Sequence, residues 1–410
     1  MRIARYRGAL AVQLDRLQGA APVPVVPRTL RAHQGDLTVS SPVTVDESAT
    51  GTGANRRRRN SFHRLRVAEV DRLCDDAVAV TFEVPPELAD EYDFRPGQSL
   101  TLRRVLDGRE ERRSYSICAA RGTAPRIGVR LVPDGLFSTW LVNEVRPGDG
   151  IDVLPPSGSF SPELDRDERH VLVAAGSGIT PMLSIAASVL RETGATVSLV
   201  YGNRRTDTVM FADELADLKD RYRSRLELVH VLSREPRESE LFSGRLDADK
   251  LRDLLSTVLD PGGVDQWWLC GPYGMVTGAQ EVLGEHGVTA GRIHQELFYV
   301  DDLPPEPVRR DEGPGFDGPA SEVTVVLDGR SSELSLPRDV PVLDAAQKAR
   351  PDLPFACKGG VCGTCRAKVT GGEVTMRRNF ALEQSEVDDG FVLTCQSLPV
   401  TDAVTIDFDE

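Results

Sequence analysis

Cys357, Cys362, Cys365 and Cys395 are the residues of this chain whose type and spacing specify chemistry most directly. Four residues separate the first pair, two the second, and a long gap precedes the last. That is the spacing with which thiolates hold a 2Fe-2S cluster. The loop reads Cys357-Lys-Gly-Gly-Val-Cys362-Gly-Thr-Cys365, and Gly359, Gly360 and Gly363 let backbone amides close on the cluster sulfurs. The competing readings are a disulfide frame and a structural zinc site. Zinc sites more often set two close Cys/His pairs across a spacer, and no histidine lies in or near this loop. One-electron transfer follows as the chemistry to expect.

Upstream, Arg113-Ser-Tyr115-Ser116 combines a cation, an aromatic ring and a hydroxyl on what reads as one strand. Alternation puts Arg113 and Tyr115 on one face, where a guanidinium can clamp a pyrophosphate and a phenol ring can pack on a flavin. The plain alternative is a surface cation beside a half-buried tyrosine. Gly135-Leu-Phe-Ser138 opens a helix-like stretch and can offer amides and a hydroxyl to phosphate. Gly176-Ser-Gly-Ile-Thr180-Pro181-Met182 follows a buried-type strand, so that Gly176, Gly178 and Thr180 form a phosphate seat at a helix start. Its spacing is neither the Rossmann fingerprint nor a Walker loop, and a simple strand-to-helix turn is the other reading. Cys270-Gly-Pro272 ends the apolar run Trp267-Trp-Leu269, where open α/β sheets bind ligands; a buried thiol there is equally compatible with packing.

These groups need elements to hold them. A chain of 410 residues has length for two to three cores. Residues 1–60 carry ten Arg against four acids, whereas the whole chain is −14, leaving −20 for the remainder. Nucleic-acid binding by the folded part is thereby disfavoured. Arg56-Arg57-Arg58-Arg59 sits among Gly, Thr, Ser and Asn, which reads as a solvated, disordered extension over 1–60. No apolar run approaches the roughly 20 residues of a membrane span. Seven cysteines, with four assigned to the cluster, leave Cys74, Cys118 and Cys270 free, which suits a reducing cytoplasm.

Short strands at 65–70, 77–84 and 99–102, punctuated by Pro and Gly, predict an antiparallel β-barrel over 61–165. Apolar strands at 171–175, 197–201, 226–231 and 267–270, alternating with helical stretches, predict an α/β domain with a parallel sheet over 166–301. A linker rich in Pro, Asp, Glu and Gly follows over 302–320. Residues 321–410 predict an α+β unit: a strand pair turning at Asp328-Gly329, a helix over 342–349, the cysteine loop, and strands at 366–369, 391–394 and 404–406.

In this order, the four upstream motifs resemble the ferredoxin-NADP reductase superfamily over residues 62–300. The region from Phe355 onward resembles plant-type 2Fe-2S ferredoxins of β-grasp fold. The resemblance implies FAD binding by Arg113, Tyr115, Ser116, Gly135 and Ser138, and pyridine nucleotide binding by Gly176, Gly178 and Thr180. It implies that the Cys270 thiol lies near the nicotinamide, and that Glu296 of His294-Gln-Glu296-Leu-Phe298 lies near the flavin; a solvated strand-end acid is the alternative for Glu296. Arg204, Arg205, Ser233 and Arg234 stand where the superfamily's NADPH users hold the 2′-phosphate, while Asp207 leaves NADH open.

The sequence of domains is that of oxygenase reductase components with a trailing ferredoxin. Ala356 to Cys365, Met376 to Leu382 with Asn379, and Val392-Leu-Thr-Cys395-Gln are most similar to the reductase subunits of phenylacetyl-coenzyme A epoxidase systems. The implied path is NADPH to FAD to cluster to a partner oxygenase, a di-iron epoxidase of phenylacetate degradation. A transient encounter is expected, and the cluster domain's fifteen acids against nine bases favour a basic partner face. Another di-iron or ring-hydroxylating oxygenase, or a non-catalytic electron carrier, are the alternatives.

Overall fold

The computed structural model describes residues 23–25, 61–106, 109–133, 135–298 and 319–410. The expected disordered extension and linker otherwise fall outside the described residues. Strand β1 (Val23–Val25) pairs antiparallel with residues 374–376.

Alternating apolar residues build the first sheet. It consists of β2 (His63–Cys74), β3 (Ala77–Glu83), β4 (Ser99–Leu106), β5 (Arg109–Ser116), β6 (Arg126–Arg130) and β7 (Gly150–Val153), in the order β5-β4-β7-β2-β3-β6. All pairings are antiparallel, and the two ends meet through an Ile117–Ile127 bridge that closes the barrel. Leu65, Val67, Phe82, Leu100, Leu102 and Val153 fill it. Helix α1 (Leu136–Asn143) plugs one end, sending Phe137, Leu141 and Val142 inward.

The second sheet is parallel throughout. Its strands are β8 (Arg169–Ala175), β9 (Thr196–Asn203), β10 (Leu226–Leu232), β11 (Gln266–Gly271) and β12 (Ile293–Leu297), ordered β10-β9-β8-β11-β12. Helices α2 (Ile179–Glu192), α3 (Ala212–Arg221), α4 (Ala248–Thr257) and α5 (Tyr273–Glu285) connect them. Separate apolar clusters lie on its two faces, which is why β8 and β11 read as near-continuous apolar runs. The chain leaves β8 toward one edge and later crosses to β11 on its other side. Ligands in such sheets bind at this switch point, beyond the strands' carboxyl ends.

The third unit is a five-stranded mixed sheet. Its strands are β13 (Ala320–Leu327), β14 (Arg330–Pro337), β15 (Arg366–Gly371), β17 (Phe391–Leu393) and β19 (Ala403–Asp407), in the order β14-β13-β19-β15-β17; β16 (Val374–Met376) and β18 (Ser397–Pro399) pair beside it with β1. Asp328 (φ 55°) and Gly329 (φ 68°) make the tight turn of the β13–β14 hairpin. Helix α6 is shorter than expected, Val342–Ala346 rather than 342–349. The approach of Pro351 disfavours helical backbone at Arg350, and the chain leaves through turn bonds such as Ala349 N–H to Ala346 O. Helix α7 (Gln384–Asp388) buries Val387 in the core of this unit.

Candidate functional site

The cysteine loop is tied from several directions. Lys358, directly after Cys357, holds the left-handed backbone (φ 53°) that a non-glycine residue takes only under constraint. Its ammonium supplies that constraint by reaching Asp344 Oδ1 at 2.8 Å and Gln347 Oε1 at 2.7 Å on and after α6. Asn379 folds the 376–382 stretch by accepting from the Ala381 and Leu382 amides, and the Phe380 amide donates to Gly360 O. Gln396, beside Cys395, donates to Lys358 O at 2.8 Å.

Cys357 interacts most strongly with Cys362, whose Sγ accepts from the Cys357 N–H at 3.5 Å, and Cys365 interacts most strongly with Cys395. Among the described residues no three His, Cys, Asp or Glu side chains converge on a single ion. Two sulfurs for each of two metal centres fit a binuclear cluster, whereas one tetrahedral zinc ion needs all four together. The donor chemistry agrees. The hydrogen bond from Cys362, reinforced by the Val361, Gly359 and Cys362 amides, lowers the Cys357 thiol to about 6. The same pairing and burial push Cys362 well above its ordinary value, as the Cys395 pairing does Cys365. Four crowded thiolates need a cationic core, and iron supplies one.

The loop faces the barrel. A cavity of about 230 Å³ is lined at once by Arg113, Ser114 and Ser116 of β5, by Glu296 to Phe298, and by Cys357 and Cys362. Ser116 Oγ donates to Glu296 Oε2 at 3.0 Å across the barrel and the parallel sheet. Burial pushes the Glu296 carboxyl up to about 7, and the Ser116 hydrogen bond pulls it back. Glu296 is therefore more than a solvated strand-end acid. It pairs in register with Cys270 on β11, and adjacent strands in register send those side chains to one face. The Cys270 thiol is fully buried and is raised well above its ordinary value, by burial first and the Glu296 charge second. It is a neutral thiol.

Further along β5, Tyr115 packs on Phe137 with ring centroids 6.2 Å apart, and Arg113 reaches Glu111 at 3.1 Å. Gly135 is the N-cap of α1, and Ser138 Oγ closes that turn by accepting from Val132 N–H and donating to Gly135 O. The exposed side chains Val132 and Leu136 leave an uncovered apolar ledge beside these amides. A cation on the cavity wall, helix-start amides and an apolar ledge are the groups that fit a flavin dinucleotide.

At the switch point the two nucleotide loops touch. A Cβ on Gly178 would stand 2.1 Å from Cys270 O, so only glycine lets β8's turn pass β11's end. Gly176 O accepts from Tyr201 Oη at 3.0 Å. Thr180 is 1% exposed and spends its hydroxyl on Ser177 O, so its contribution to an anion is the helix-start amide. Asn203 Oδ1 is buried without a partner at the neighbouring strand end. An orphaned polar atom beside a glycine turn fits a nucleotide. Arg204, Ser233 and Arg234 are exposed and brought together by Ser233 N–H to Asn203 O and Arg234 N–H to Arg204 O.

Sequence reasoning missed the reverse face of β5 and one cation. Arg112, 6% exposed, lies over the Phe355 ring at 4.1 Å, and Ser114 meets Thr364 at 3.1 Å. Arg130, on β6, binds Thr208 O and stands beside Gly176. Strand alternation puts Arg112 and Ser114 on the face opposite Arg113 and Tyr115, but nothing in the sequence says what packs there.

A barrel with a flavin-fitting strand, a parallel sheet with a glycine seat at its switch point, and a paired-thiolate loop on one cavity define a pyridine-nucleotide-dependent flavin and iron-sulfur reductase. The sequence comparisons agree. Residues 64–161 match the oxidoreductase FAD-binding domain, 172–281 the oxidoreductase NAD-binding domain, and 325–400 the 2Fe-2S iron-sulfur cluster binding domain. The chain is 42% identical over 356 residues to a component of the 1,2-phenylacetyl-CoA epoxidase of Escherichia coli K12, covering 85% of this chain and 98% of that protein. It is 35% identical over 355 residues to the ferredoxin reductase component of 3-ketosteroid-9-alpha-monooxygenase of Rhodococcus rhodochrous, covering 84% and 96%. The phthalate dioxygenase reductase structure shares the fold, with a TM-score of 0.54 and 24% identity over 85% of this chain and 98% of that one. The chain belongs to this family of oxygenase reductase components, oxidoreductases that pass electrons from a pyridine nucleotide through FAD and a 2Fe-2S cluster to an oxygenase. Among its described residues no helix is long and apolar enough to cross a membrane.

Proposed function

We propose that this chain is the NADPH-dependent reductase of a di-iron oxygenase that epoxidises phenylacetyl-coenzyme A. The observation that carries the reductase reading is the shared cavity onto which Ser116, Glu296, Cys357 and Cys362 all open. FAD, when bound, would release the electron pair of one hydride as single electrons, and a 2Fe-2S cluster held by the four cysteines would take one electron at a time.

In this reading Arg113 and the α1 start, Gly135 and Ser138, hold the flavin's phosphates while Tyr115 packs beside it. Ser116 orients the Glu296 carboxyl at the reacting edge, and neutral Cys270 shapes the nicotinamide side without carrying charge. Gly176, Gly178 and the Thr180 amide seat the nucleotide's pyrophosphate. Cys357, Cys362, Cys365 and Cys395 hold the iron.

NADPH is favoured over NADH by the state of the charges at the ends of β9 and β10. Asp207 is occupied by Arg205, with Nε to Oδ1 at 3.0 Å, and Glu235 by the amide and hydroxyl of Thr206. Arg204 and Arg234 have no ion-pair partner among the described residues. Free guanidinium groups suit a 2′-phosphate, and occupied carboxylates suit the bare ribose of NADH poorly. The epoxidase as recipient rests on the near full-length similarity to a component of that system. A cytoplasmic setting belongs to the same reading, since none of the seven cysteines is joined in a disulfide.

The test is anaerobic flavin reduction by NADPH and NADH, followed by mixing with purified candidate oxygenases. A lower KM for NADPH and coupled consumption with the epoxidase are expected. Preference for NADH overturns the cofactor assignment, and coupling only to another oxygenase overturns the recipient.

A further inference from the structure

Three hydroxyls link the outer face of the barrel, opposite the core side chains Leu100 and Leu102, to a cluster cysteine. Thr101 Oγ1 on β4 lies 2.9 Å from Ser114 Oγ, its cross-strand partner on β5. Ser114 Oγ lies 3.1 Å from Thr364 Oγ1, and Thr364 Oγ1 lies 3.2 Å from Cys362 Sγ. Thr101 is fully buried, so the far end of this line is closed to water.

The direction of the hydrogen bonds is decided at the cysteine. A free thiol can donate to Thr364, but a metal-bound thiolate has no proton and can only accept. With Cys362 ligating iron, Thr364 must donate to the sulfur. Its oxygen is then left to accept from Ser114, and Ser114 to accept from Thr101. The polarity is fixed over the whole line, and each hydroxyl that accepts becomes a better donor to the next.

We propose that Ser114 is a positioning residue for the cluster: it holds the Thr364 hydroxyl on Cys362 Sγ, so that docking of the cluster domain on β5 sets the cluster's reduction potential. A donor to a ligand sulfur stabilises the extra negative charge of the reduced cluster and raises its potential. Ser114 belongs to the barrel and Thr364 to the cluster domain. The bond is therefore complete only in the docked arrangement, where the cluster takes electrons most readily. When the domains part, the cluster loses an oriented donor and becomes a stronger reductant. This rests on Cys362 being a cluster ligand, as proposed above.

The experiment is an EPR-monitored redox titration of full-length protein loaded with FAD and cluster. T364V and S114A are each expected to move the cluster potential negative, S114A less. The S114A/T364V double variant is expected to match T364V, because both act through one bond. S114T, which keeps a hydroxyl, is expected to retain the wild-type value. The isosteric T101V removes the upstream donor without opening space and moves the potential in the same direction. An unchanged potential in S114A and T101V overturns the relay, as does an additive double variant or an S114T shifted as far as S114A. Wild-type spectra lacking a 2Fe-2S signal, or C362S protein that keeps it unaltered, would instead overturn the ligand assignment.

Discussion

Two titratable groups meet at the end of the parallel sheet, and burial acts on both in the same sense. Glu296 is held up to about 7, with Ser116 opposing, and Cys270 is pushed far above its ordinary range. A carboxyl raised from 4.5 in the folded state favours folding fully below pH 4.5, and that contribution is lost as pH rises through about 7. Glu296→Gln removes the titration. Thermal unfolding should therefore show wild type losing stability between pH 4.5 and 7 by a component that E296Q lacks, about 3.5 kcal/mol at most from about 1.4 kcal/mol per unit. Parallel profiles for the two proteins would contradict a raised Glu296. Cys270, neutral and fully buried, is a poor nucleophile. Mass spectrometry of native protein treated with iodoacetamide at pH 8 should find Cys270 unmodified, along with Cys118, whose thiol burial raises to about 12.

At the scale of elements, the switch point depends on how closely two loops pass. Gly178→Ala would force Cβ to within 2.1 Å of Cys270 O, a backbone atom that cannot swing aside. The β8 turn must move, and with it the phosphate seat proposed there. A displacement costing more than about 1.4 kcal/mol of binding is a tenfold loss. G178A should thus raise the KM for NADPH tenfold or more while FAD and cluster content stay at wild-type levels; an unchanged KM would show that the loops do not seat the nucleotide. These strands were legible in the sequence because β8 and β11 are buried on both faces, and the apolar runs at 171–175 and 267–270 record it. The Asp328-Gly329 turn was legible for the same local reason. Helix α6 was overextended because Ala345 to Ala349 suits a helix, while the turn toward Pro351 depends on where the chain must go. Arg112 and Ser114 were not legible, since the face of β5 they occupy acquires meaning only from the domain packed on it. The left-handed Lys358 was hidden similarly, as its anchors lie at Asp344 and Gln347, outside the cysteine motif.

Across the whole molecule, electron delivery requires the cluster loop to stay on the cavity it shares with Ser116 and Glu296 long enough to receive an electron. Contacts from both upstream domains hold it there. From the parallel sheet, His294 Nδ1 meets Glu383 Oε1 at 2.8 Å, and Tyr273 meets Phe380 edge-on at 5.9 Å. From the barrel, Arg112 stacks on Phe355 and donates to Leu353 O at 3.5 Å, so it grips both residues flanking Pro354 on the approach to Cys357. Arg112 also pairs with Glu110 through Nε at 2.6 Å, so its guanidinium is neutralised where it is buried. Arg112→Ala removes a stacked cation worth about 0.5–2 kcal/mol and a hydrogen bond from a charged group worth about 1.5–3 kcal/mol. Lysine is no substitute, because it lacks the planar fork that stacks and donates together. None of these contacts touches Gly176, Gly178 or Cys270. Stopped-flow absorbance should therefore show R112A reduced by NADPH at the wild-type rate in its flavin band, with cluster reduction slowed tenfold or more. C357S, lacking the cluster, should share the unaltered flavin phase. Equal slowing of both phases in R112A would mean that docking and hydride delivery are one event, and that the cluster domain shapes the nucleotide site as well as emptying the flavin.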